Sequence, residues 1–150
     1  MKKIFGLGLA GLLIWSCGTP PENTSEVQVA ASPATAPVSE TEDITLNNGR
    51  KWQVKADMSP HILKGEALVD AYVQQNQTDY KKLAQEVDEQ NTQLIENCSM
   101  EGASHDALHK WVQPHLELVE ALKNETNPAA AQAMVLQLRR SYQRYHQYFQ

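Results

Sequence analysis

Two dipeptides do most to limit how this chain can fold. Ser59-Pro60 and Asn127-Pro128 each place a capping residue directly before a proline, the pattern of a helix that begins there. Apolar residues at three- and four-residue spacing follow each signal. Ile62, Leu63, Leu68, Val69, Tyr72 and Val73 carry the first helix to about Gln75. Thr78-Asp79 caps a second, with the stripe Tyr80, Leu83, Val87, Leu94 and Cys98, a polar interruption at Asn91, and Gly102 ending the turn that follows. Ser104 is placed to cap a third, with Asp106 favourable in its first turn. Its stripe is His105, Leu108, Val112, His115, Val119 and Leu122, and Pro114 is predicted to kink this helix rather than end it. Ala131, Val135, Leu138, Tyr142, Tyr145 and Phe149 form the fourth stripe. Four helices of roughly 20 residues with short turns predict an all-α fold, an antiparallel up-down-up-down four-helix bundle. No internal repeat is evident.

A short β-hairpin is predicted just before the bundle. Asn48-Gly49 lies between alternating apolar and polar residues from Ile44 to Val54, a strong hairpin pattern. A two-residue turn sets Leu46 opposite Lys51. A three-residue loop, Asn47-Asn48-Gly49, pairs Ile44 with Trp52 and gathers Ile44, Leu46, Trp52 and Val54 on one face, and is the register expected here. That face needs a surface to lie on, because an isolated hairpin is marginal.

The start of the chain points to its location. Met1-Lys2-Lys3 is a short basic segment, Ile4 to Trp15 is apolar, and Ser16-Cys17 puts a small residue before a cysteine. The apolar run is too short for a transmembrane helix of about 20 residues. Ile14, Ser16 and Cys17 resemble the lipobox of a bacterial lipoprotein signal. The resemblance implies a signal peptide at 1–16, acylation of Cys17, and a cell-envelope protein lipid-anchored to a bacterial membrane, facing the periplasm or the exterior. Residues 18 to about 42 are rich in Pro, Thr, Ser, Ala, Val and Glu with almost no large apolar residue, a composition that cannot order itself. The domain reading is therefore a leader at 1–16, a lipidated cysteine and flexible tether at 17–42, and a hairpin plus bundle at 43–150. A tether of this length spans about 25 to 30 Å on average.

Charge and cysteine usage narrow the partners. Loss of Lys2 and Lys3 from the 13 basic residues leaves 11 against 18 acidic ones, a formal charge of −7, which suits neither nucleic acid nor an anionic lipid surface. With Cys17 acylated, Cys98 is the only thiol left and no intramolecular disulfide can form. Such a thiol outside the cytoplasm is shielded in a core, bound to a metal, or paired with another chain.

Cys98, Met100, His105 and His109 fall within twelve residues around Gly102, and the two histidines are four apart, so on a helix they share a face. Bundle topology extends the set. The start of helix one, the end of helix two, the start of helix three and the end of helix four meet at one end. Met58 and His61, Cys98 and Met100, His105 and His109, and His146 each lie within about 10 Å of that end along the axis. His115 lies about 15 Å further along than His105, at a stripe position that predicts a buried, hydrogen-bonded imidazole. Thiolate, thioether and imidazole suit copper or zinc, and no carboxylate cluster suits calcium or magnesium. Taken singly, Cys98 and Met100 also read as core hydrophobes.

Asn97-Cys98, Gly102, His105, Leu108-His109 and Trp111, with Asn48-Gly49 before them, resemble a family of small uncharacterised bacterial lipoproteins, over about residues 44–150. That resemblance implies architecture but no activity. Ala131-Gln132, Gln137-Leu138 and Tyr145-His146-Gln147 resemble the last helix of soluble b-type cytochrome bundles. This second likeness implies heme b, with His146 as an axial ligand opposite Met58 or, better placed, His61; no Cys-x-x-Cys-His is present for covalent attachment. No oxyanion-stabilising loop accompanies Cys98, so an enzyme is not expected. Three functions follow: a membrane-tethered handler of copper or zinc, with Trp52 screening the site and a protein partner for delivery; a heme electron-transfer protein; or a structural, protein-interacting lipoprotein.

Overall fold

The computed structural model describes residues 43–150, so the leader, Cys17 and the tether lie outside the described residues. Four helices account for most of that span: α1 (Ser59–Gln74), α2 (Tyr80–Glu96), α3 (Gly102–Asn124) and α4 (Pro128–Tyr148). Among the described residues the fold is all-α with no strand, and no helix is long and apolar enough to cross a membrane.

Asn127 and Asp79 cap as their positions predict. The Asn127 side chain accepts from the N–H groups of Ala129 and Ala130, and Asp79 accepts from Lys82 N–H at 3.0 Å. Two expected caps differ. α1 begins one residue earlier than predicted, with Met58 at the capping position and Ser59 inside, its hydroxyl near the Lys55 carbonyl at 3.3 Å. α3 opens at Gly102, whose φ of +63° lies in the left-handed region that glycine enters without a Cβ clash, so Ser104 falls in the first turn and its hydroxyl donates back to Glu101 O at 3.2 Å. α3 continues through Pro114 to Asn124.

α1 packs on α2 and α4, and α3 on the same two, with α2 and α4 also meeting across the diagonal. Cross-helix partners step in opposite directions along the chain. Glu66 meets His146 and Asp70 meets Arg139 between α1 and α4, while Trp111 lies on Tyr145 and His115 on Tyr142 between α3 and α4. The α4 stripe is buried throughout, from Ala131 to Phe149. The α1 stripe is narrower than its apolar content implies: Ile62, Val69 and Tyr72 are buried, whereas Leu63 is 52% exposed. Trp111, outside the predicted stripe, is 2% exposed and widens the buried face of α3.

The hairpin is cut down to its turn, and the register differs from the expected one. Asn47 and Arg50 exchange both backbone hydrogen bonds, 2.8 and 3.0 Å, around the two residues Asn48 and Gly49, whose φ values are +50° and +80°. Both residues accept positive φ, as the tight primed turn demands, because asparagine tolerates the left-handed region almost as glycine does. The arm then turns to the end of α4. Trp52 N–H donates to Tyr148 O at 2.7 Å, Gln150 N–H to Trp52 O at 2.9 Å, and Val54 N–H to Gln150 O at 2.9 Å. Ile44 and Val54 are buried by this docking, while Leu46 stays exposed. The bundle outcompetes the opposite arm for Trp52 and Val54 because it offers both backbone partners and an apolar surface.

Candidate metal centre

α3 sets the geometry of the two histidines by its own period. His105 and His109, one turn apart, bring their Nε2 atoms to 3.0 Å with rings edge to face, centroids 4.4 Å apart. His109 is exposed and His105 half-buried, so solvent reaches the pair. With no ion, one ring N–H donates to the other ring's nitrogen. Two imidazoles at an ordinary metal–nitrogen distance of about 2.05 Å and this separation subtend about 94° at a shared ion. That is a cis pair of a square-planar or tetragonal ion and a modest opening away from a tetrahedral one. It is far from the straight line a two-coordinate ion prefers.

The other predicted ligands do not join this pair. His61 faces α2, with Nδ1 3.4 Å from Gln90 Oε1. His146 faces α1, with Nε2 2.8 Å from Glu66 Oε2. Met58 is fully buried and Met100 is 6% exposed, both part of the apolar core. Cys98 is a free, half-buried thiol in the α2–α3 link, a segment pinned by Lys55, whose ammonium donates to the Ser99 carbonyl and, at 3.0 Å, to its hydroxyl. Among the described residues no three or more His, Cys, Asp or Glu side chains are grouped to hold one ion. Only His105 and His109 of the seven predicted ligands meet ring to ring. Rotation about each helix axis, which packing decides, gives the others separate surroundings.

His115 is buried as predicted, with Nδ1 3.0 Å from Ser141 Oγ. Its ring stacks on Trp111 at 4.9 Å and meets Tyr142 edge-on at 4.8 Å. Nε2 has no partner, and burial pushes the imidazole down to about 3, so the ring is neutral. Burial, with Glu66 nearby as the lesser cause, likewise raises the Tyr142 phenol and takes that of Tyr145 up to about 12. The Trp111 indole N–H donates to Ser141 O at 2.9 Å, so one residue of α4 anchors two rings of α3.

Beside the start of α3 lies a groove of about 510 Å³ whose lining includes Arg50, Lys51, Trp52, Glu101, Ser104 and Gln150. Trp52 lines this groove with Glu101 and Ser104 at the start of α3, its indole N–H bonded to Thr45 O at 2.7 Å, whereas neither His105 nor His109 is part of the lining. Sequence reading missed three polar partners, Gln90, Glu66 and Ser141. Gln90 was findable: Leu83, Val87, Gln90 and Leu94 share one helical face, so an amide there had to be buried beside something polar. Comparison with protein-family models, curated proteins and solved structures gives no match.

Proposed function

We propose that this protein is a lipid-anchored envelope protein, tethered through Cys17, whose up-down-up-down bundle presents a surface site for a divalent transition metal at His105 and His109, for capture, buffering or delivery. The observation that carries this reading is the 3.0 Å separation of the two Nε2 atoms on one exposed helical face. A cis angle near a right angle favours copper(II), with zinc accommodated by a small opening of the pair. The site has two protein ligands rather than a closed cage, which suits exchange with a partner more than permanent structural binding. Titration of the full chain in detergent with Cu(II) and Zn(II), followed by competition with a chelator, tests it. Stoichiometric binding lost in both His105→Ala and His109→Ala, with helicity unchanged, is the expected result. Binding that survives both substitutions, or none at all, overturns it.

A structural or protein-interacting lipoprotein is the second reading. It draws on the way His61, His115 and His146 each have a polar side-chain partner of their own, as structural histidines do. Heme draws no geometric support. His146 is engaged by Glu66 and Met58 is locked in the core, so neither is free for an iron without repacking.

A further inference from the structure

The histidine pair supplies two nitrogens to an ion that takes four ligands when tetrahedral or square-planar. Among the described residues no third His, Cys, Asp or Glu joins it in a cluster. Around the pair the helix face is open. Glu101, His109, Gln113 and Glu117 are exposed and His105 is half-buried, a polar stripe that no neighbouring helix covers.

We propose that the site closes across two copies of the chain, one divalent ion being held by His105 and His109 of one copy and by the same pair of a second. The inference rests on the reading of this pair as a metal site. Two cis donors leave the opposite two positions vacant, and a second identical pair fills them when the copies are related by a twofold axis. Such an axis makes the contact self-complementary, and twofold dimers are by far the commonest closed assemblies. The formal charge of −5 on each whole chain, with Glu101 and Asp106 flanking the pair, sets copies against one another until a cation is present. Association is therefore metal-dependent. Anchoring to one membrane raises the concentration of copies facing each other, as linking does for any second binding event.

The test uses the full chain in detergent, copper(II) as the probe, and two readouts: the ion-to-chain ratio at saturation, and the number of nitrogens coupled to copper in its paramagnetic resonance spectrum. Saturation at one ion per pair of chains with four coupled nitrogens is the expected result, accompanied by doubling of the protein mass in sedimentation. In the His109→Ala variant the four-nitrogen signal and the mass doubling both disappear, while the ion-free protein keeps the wild-type helicity and mass. Saturation at one ion per chain with two nitrogens, dependent on the same histidines, overturns the shared site but leaves the single-chain metal reading intact. Absence of histidine-dependent binding overturns both. Mass doubling without copper, or in the variant, overturns the claim that the ion closes the assembly.

Discussion

Acid should destabilise the bundle through His115 by an amount the structure fixes. The ring is 1% exposed and holds one hydrogen bond, from or to Ser141 Oγ at 3.0 Å, while Trp111 and Tyr142 cover its faces. None of these neighbours can take up the charge of an imidazolium, so desolvation lowers its folded value to about 3 against an ordinary 6.5. Because the folded value is depressed, the unfolded chain binds the proton first. The stability this group allows is intact above pH 6.5 and falls as pH drops from there towards 3, levelling off below. Between pH 7 and pH 5 the loss works out at about 2 kcal/mol. The assay is urea unfolding of wild type and His115→Gln from pH 4.5 to 8, followed by helicity. Carboxylates held low, such as Glu120 beside Lys123 and Glu125 bonded by the Asn127 and Thr126 N–H groups, contribute to both proteins and cancel in the difference. The variant should be less stable at neutral pH, since it breaks a packed ring cluster, but its stability should decline with acid by about 2 kcal/mol less. Parallel pH curves for the two proteins would refute the reasoning, because they would mean that solvent reaches His115 in the folded bundle.

Two further substitutions test the packing and the capping. A methyl group at Gly65 on α1 would lie inside the van der Waals shell of the Tyr142 hydroxyl and 3.2 Å from its Cζ, so Gly65→Ala should destabilise by about 1 to 3 kcal/mol despite a better helix propensity. In a Tyr142→Phe background the cost should shrink by about 1 kcal/mol, and an unchanged cost in the double-mutant cycle would refute the contact. Asn127→Ala removes the acceptor for two N–H groups at the start of α4 and should lower stability by about 1 kcal/mol in thermal or urea unfolding, with Asn127→Ser restoring most of it.

Local signals predicted the helices well because each rests on a few neighbouring residues. Asn127-Pro128 and Thr78-Asp79 mark true starts, and every residue of the stripe from Ala131 to Phe149 is buried. The misses lie where a distant segment changes the outcome. The arm from Ile44 to Val54 has a pattern that pairs well with itself, yet Trp52 and Val54 bond to Tyr148 and Gln150, about a hundred residues later in the chain. Nothing within eleven residues of sequence encodes that competitor. Ser104 shows the same limit on a smaller scale: as a local capping residue it reads well, but Gly102 takes the positive φ that opens α3, with Glu101 at the capping position three residues earlier.

The histidines separate the two kinds of information in one place. His105 and His109 meet because they share a helix, where spacing of four alone brings side chains together. His61 and His146 share their end of the bundle but not a helix, and their meeting depended on how α1 and α4 are rolled about their axes. That roll is set by the largest buried groups. Tyr142 and Gly65 lock α4 against α1 at close range, and Trp111, held by Ser141 and packed on Tyr145, fixes α3 against α4. With those contacts in place, the apolar stripes of both helices must face the core, and His61 and His146 are carried round to Gln90 and Glu66. A ligand layer built from four helices would have required polar side chains at core-facing positions; at this end of the bundle those positions are filled by Met58, Met100, Leu108, Tyr145 and Phe149. The metal site proposed above is thus confined to one helix face, and any further ligand for it has to arrive from outside the bundle core.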